Sequence, residues 1–110
     1  MSGGRGWAGL VEQTGHSGIR TFRKVVSTAG NPEQIASTVT PCRMVLINAS
    51  LGNSSPAAVG DANVVAANAT MRGTPLIPGS EPVPIYIDDL SKLYVDVQTN
   101  GDVVCGTYYV

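Results

Sequence analysis

Residues 72–96, RGTPLIPGSEPVPIYIDDLSKLYVD, read as turn, strand, turn, strand. Gly73-Thr74-Pro75 and Pro78-Gly79-Ser80 carry turn chemistry, because proline presets φ near −65° and glycine supplies positive φ. Val83, Ile85 and Ile87 then alternate with Pro84, Tyr86 and Asp88, the period-two pattern of a half-buried strand. Asp88-Asp89 breaks the run. Leu93, Val95 and Val97 resume it against Tyr94, Asp96 and Gln98. Two runs this close point to antiparallel architecture, since a parallel pair needs a crossover of about a dozen residues or more.

The same grammar extends along the chain. Residues 19–28 read as a strand with Phe22, Lys24 and Val26 on one face, followed by an Ala29-Gly30-Asn31-Pro32 turn. Residues 33–37 read as a short strand or an extended link with Ile35 inward, ended at Thr40-Pro41. Residues 44–49 are apolar on both faces, which predicts a central strand covered on both sides. Residues 50–61 are rich in Gly, Ser, Asn and Pro and read as a loop. The small-residue segment 63–69 fits a strand or a short helical turn. Asn100-Gly101 between two alternating runs signals a hairpin into a closing strand at 103–110, and residues 89–92 allow one helical turn at most. Roughly seven or eight short strands with regular turn signals predict an all-β, antiparallel sandwich of the jelly-roll kind.

A chain of 110 residues is one domain with room for one modest core. Residues 1–18 stand apart as an extended arm with six glycines, leaving 19–110 for the sandwich. The arm nevertheless holds Trp7, Leu10 and Val11, so folding back on its own domain and anchoring on a neighbouring subunit are the two readings set against plain disorder. Charged residues make up 14% of the chain, against about 25% in an ordinary soluble domain. That shortfall suggests surface covered by other subunits. Net charge is −1 with no basic run, so no nucleic-acid footprint is present. Neither a signal-peptide pattern nor an apolar run near the ~20 residues of a membrane helix occurs, so synthesis in a cytoplasm and no membrane partner are expected.

Constellations that carry chemistry are weak. His16, the single histidine, lies in the arm, where no third group would hold it as a base. Asp88, Asp89, Asp96 and Asp102 fall at strand ends, where turn capping explains them; a calcium site from Asp88, Asp89 and Asp96 is the sharper alternative. Cys42 and Cys105 with one histidine are too few for structural zinc, and the two thiols either pack unpaired or form a disulfide outside a cell. Tyr94, Tyr108 and Tyr109 fit cross-strand packing or an aromatic carbohydrate platform. No cofactor motif is present, and the chain reads as a non-enzyme.

The order of short motifs resembles a group of small virion structural proteins of tailed bacteriophages. The matching pieces are Thr40-Pro41-Cys42 before Val45, Ile47 and Ala49; Gly73, Pro75, Leu76, Pro78 and Gly79; Ile85 and Ile87 with Asp88-Asp89-Leu90; and Leu93-Tyr94-Val95-Asp96. The family's N-T-G-x-V-Y-V-G-like loop is matched only in part by residues 53–60, and the arm lies outside the pattern. The resemblance implies a β-sandwich that decorates and cements a capsid by bridging major capsid protein subunits, in a virion assembled in the host bacterial cytoplasm. A tail, baseplate or host-carbohydrate-binding module is the alternative. Self-association is expected as well. The partner-contact candidates are Trp7, Leu10, Val11 and His16 in the arm and Leu51, Asn53, Pro56 and Met71 in loops.

Overall fold

The computed structural model describes residues 18–110. They form eight strands: β1 (Ile19–Val25), β2 (Glu33–Gln34), β3 (Met44–Ala49), β4 (Ala57–Gly60), β5 (Thr74–Leu76), β6 (Val83–Ile85), β7 (Tyr94–Val97) and β8 (Val103–Tyr109). Two single 3₁₀ turns, Asn68–Thr70 and Leu90–Lys92, are the only helical elements among the described residues. Asp89 caps the second by accepting the Ser91 N–H at 2.9 Å, as expected of an Asx residue before a helical turn.

One sheet has the order β1-β8-β3-β6 and the other β2-β7-β4-β5, with every pair antiparallel. The pairs β1·β8, β2·β7, β3·β6 and β4·β5 nest inside one another. The chain is thus one long hairpin, closed at β4–β5 and rolled so that its rungs fall alternately in two sheets. This is the jelly roll.

The two inner faces meet in a single core. Val45, Ile47, Ala49 and Val104 come from the first sheet, and Ala57, Val59, Leu76, Val95 and Val97 from the second. Each full-sized aliphatic side chain buried there contributes about 1.5–3 kcal/mol. Gly106 of β8 faces the same way between Phe22 and Ile47. A Cβ there would collide with the Leu46 carbonyl and sit 3.0 Å from the Phe22 ring.

The rolled topology corrects several sequence expectations. The runs at 83–87 and 93–97 are not paired with each other: β6 and β7 belong to different sheets, and the Leu90–Lys92 turn carries the chain across. Asn100-Gly101 is not a hairpin turn, because β7 and β8 also lie in different sheets. It is a corner at which Gly101 adopts φ +85° and Asn100 Oδ1 accepts the Ala29 N–H at 2.8 Å. Among the described residues the one hairpin between sequential strands is β4–β5, whose residues read in sequence as loop and turn. Ala57-Ala58-Val59-Gly60 lacks bulky residues and Thr74-Pro75-Leu76 contains proline, so neither shows strand propensity. Segment 63–69 holds a bridge at Val65 to Arg72 and then the first 3₁₀ turn. β3 is buried on one face only; Met44, Leu46 and Asn48 are half-exposed rather than covered by a second layer. Asp96 does lie on the outer face of β7, as alternation has it, but is only 1% exposed because the 64–66 segment covers it.

Candidate interaction surface

Register assigns every residue of the first sheet to a face. Phe22, Gly106 and Ile47 lie in one cross-strand row, as do Lys24, Val104 and Ala49, and these rows point to the core. The alternate rows, Ile19–Tyr109–Met44, Thr21–Thr107–Leu46 and Arg23–Cys105–Asn48, point outward. On this outer face Ile19 is 59% and Val25 44% exposed. No described element covers it.

The 50–53 loop rises beside the face and presents Leu51, 81% exposed. With Leu46, Asn48, Pro82, Cys105 and Thr107 it lines an open, mostly apolar groove of about 330 Å³. The loop is held by Asn53. Its Nδ2 donates to Val103 O at 2.8 Å, and its Oδ1 accepts the Val103 N–H at 3.0 Å. Asn53 N–H donates to Ser50 O, closing the turn under Leu51. Of the loop candidates, Leu51 is therefore displayed, whereas the Asn53 amide is committed inside the chain. Pro56 and Met71 are half-buried, before β4 and β5 respectively, away from the groove lining. Trp7, Leu10, Val11 and His16 lie outside the described residues.

Ionisable groups near the sheets do structural work. Glu33 accepts from the Ser27 N–H and hydroxyl, both at 3.0 Å, and pairs with Lys24 at 3.1 Å. Burial pushes its carboxyl up, but the Lys24 and Ser27 bonds outweigh this and hold it below the ordinary value. Asp89 is held low by the Thr40 N–H and then by Ser91. Lys92 is raised by its bond to Asp88 at 2.9 Å. Cys42 donates its thiol to Ile87 O at 3.2 Å, and burial, then the Asp89 and Asp88 charges, push it up, which keeps it protonated and a poor nucleophile. Cys42 and Cys105 are both unpaired.

Asp96 keeps the outer face of β7 that alternation gives it, opposite Val95 and Val97 in the core, but is covered there by the 64–66 segment. Its Oδ1 accepts the Gly30 N–H at 2.8 Å and its Oδ2 the Ala66 N–H at 2.9 Å. It thus tethers the β1–β2 connection and the 64–66 segment to β7. Asp88 and Asp89 sit instead at the Leu90–Lys92 turn, so the three carboxylates are not brought together. Among the described residues no group of three or more His, Cys, Asp or Glu could hold a metal ion. The tyrosines are separated too: Tyr94 packs on Ala58, Val64 and Ala66, Tyr108 faces the core beside Phe22 with ring centroids 6.4 Å apart, and Tyr109 lies in an outward row. Compared with known proteins, the chain matches no family model, no curated protein and no solved structure.

Proposed function

We propose that this chain is a non-enzymatic structural protein of a tailed-bacteriophage particle, which seats the outer face of β1-β8-β3-β6 on the capsid shell and bridges major capsid protein subunits. The observation that carries this reading is an apolar face that no described element covers, with Leu46, Leu51 and Cys105 at its groove, on a chain poor in charge. The ordered motif resemblance supports the same setting. Burial of the face supplies the attraction, and repetition over a shell multiplies a modest contact. A stable interface needs about 800 Å² from each partner, more than the groove offers, so residues 1–18 with Trp7, Leu10, Val11 and His16 add the remaining contact. The buried polar groups favour a scaffold over chemistry, because the Asp96 oxygens are occupied by backbone amides and the Cys42 thiol is held protonated.

The test is a particle reconstruction with copy counting. Hundreds of copies on the shell are expected, and Leu46→Glu with Leu51→Glu lowers occupancy at least tenfold while the free protein still melts cooperatively. A few copies at the tail, or none in the particle, overturns the reading.

A further inference from the structure

The two sheets have four edges, and three are blunted. β6 and β5 carry Pro84 and Pro75, which have no N–H to offer, and β2 is two residues long. β1 is seven residues without proline. It pairs with β8 on one side, and no described strand lies on the other.

The bonds at the ends of β1 settle which of its groups face that open side. Val110 N–H donates to Gly18 O, and Val26 N–H donates to Asp102 O. In an antiparallel ladder, alternate residues bond to the same neighbour. Gly18, Arg20, Phe22, Lys24 and Val26 therefore turn their backbone groups toward β8. Ile19, Thr21, Arg23 and Val25 turn theirs to the open edge, where the Ile19 carbonyl accepts Arg20 Nη1 at 3.3 Å. The side chains of these four residues also stand on the outer face. A strand added here would extend the sheet and its apolar face together.

Charge selects the occupant. Arg20 and Arg23 are exposed and form no ion pair among the described residues, whereas Lys24 is engaged with Glu33. A second copy pairing β1 antiparallel to β1 would set Arg20 against Lys24 and Arg23 against Thr21, so it offers neither arginine a carboxylate and one a like charge. We infer that the open edge of β1 receives, as a ninth strand, an extended segment of another polypeptide that carries carboxylates opposite Arg20 and Arg23 and apolar residues opposite Ile19 and Val25. Main-chain bonds supply the attraction and the alternate side chains the selectivity. The inference rests on edge geometry and charge, and holds whether or not the chain belongs to a virion.

The probe is a capped heptapeptide, Val-Thr-Glu-Thr-Thr-Glu-Val, titrated into the full chain and followed by amide NMR. Shifts centred on Ile19, Thr21, Arg23 and Val25 are expected, with binding at least tenfold weaker when both glutamates are lysine. Thr21→Pro removes an N–H that faces outward and no bond to β8, so it should keep the fold and lose at least tenfold in affinity. Arg23→Glu should invert the preference between the two peptides and serves equally if the proline variant does not fold. Equal binding of both peptides, shifts elsewhere, or unaltered preference in Arg23→Glu overturns the inference. So does binding that is seen only after residues 1–17 are deleted, because the edge would then be filled by this chain's own leading segment.

Discussion

Asn53 and Val103 exchange two hydrogen bonds, side-chain amide to backbone, at 2.8 and 3.0 Å. The pair completes the last rung of the β3–β8 ladder, where Ser50 N–H also donates to Val103 O at 2.9 Å. Val103 is buried and its carbonyl keeps the Ser50 N–H, so cutting Asn53 back strands the Val103 N–H with little access to water. Asn53→Ala should cost about 1–3 kcal/mol in urea unfolding. An Asn53→Ala protein as stable as the parent would show that solvent replaces the amide.

Asp96 should be less tolerant. Truncation to alanine removes the acceptor of both the Ala66 N–H, at a buried bond, and the Gly30 N–H, at a part-buried one. With roughly 1.5–3 kcal/mol for each bond to a charged acceptor, loss of several kcal/mol is expected, against a typical total of 5–15 kcal/mol. Asp96→Asn keeps one acceptor but points a donor at an N–H, so it should fall between the parent and Asp96→Ala in denaturant midpoint.

Gly106→Ala tests the closeness of β8 to its neighbours. The added methyl meets the Leu46 carbonyl and the Phe22 ring, and relief requires the central strand to move. Overpacking of this kind costs about 1–3 kcal/mol. Pairing the change with Phe22→Leu should recover part of the melting temperature if the ring is the obstacle, and none if the backbone carbonyl is.

Acid should weaken the fold in a narrow range. Glu33 and Asp89 both titrate below their ordinary values of 4.5 and 3.8, so the unfolded chain binds protons first as pH falls. Their stabilisation is complete above those values and is lost as pH drops through the lower folded ones. Melting temperature should therefore decline below about pH 4.5, and Glu33→Gln with Asp89→Asn should flatten that decline. An unchanged acid limb in the double variant would assign it to other carboxyls.

The two thiols should separate kinetically. Cys105 lines the open groove, whereas Cys42 is buried, bonded to Ile87 O and raised by burial and by Asp89 and Asp88. A thiol reagent at neutral pH should modify Cys105 at least tenfold faster, with Cys42 reacting only on unfolding. Equal rates would contradict the placement of Cys42.

Local alternation carried much of the architecture. Val45-x-Ile47-x-Ala49 and Val83-x-Ile85 state in the sequence which side of each strand is apolar, and turn residues mark where strands end. That determined an all-β sandwich and the positions of β1, β3, β6, β7 and β8, because period-two burial is a property of single strands. Alternation names a face, however, and not a neighbour. Whether β8 lies beside β7 or between β1 and β3 depends on contacts far apart in the chain, and only the rolled closure decided it. The same closure made strands of Ala57-Ala58-Val59-Gly60 and Thr74-Pro75-Leu76 by giving their backbone groups partners, which no propensity announced. Leu51 was readable as a displayed loop residue, but the apolar face beneath it was not, since Leu46 and Met44 look in sequence like a second buried side. Asp96 stays on the outer face of β7 and is buried there because the 64–66 segment and the β1–β2 connection lie over it, bringing the Ala66 and Gly30 amides to its carboxylate, and only tertiary structure lays them there.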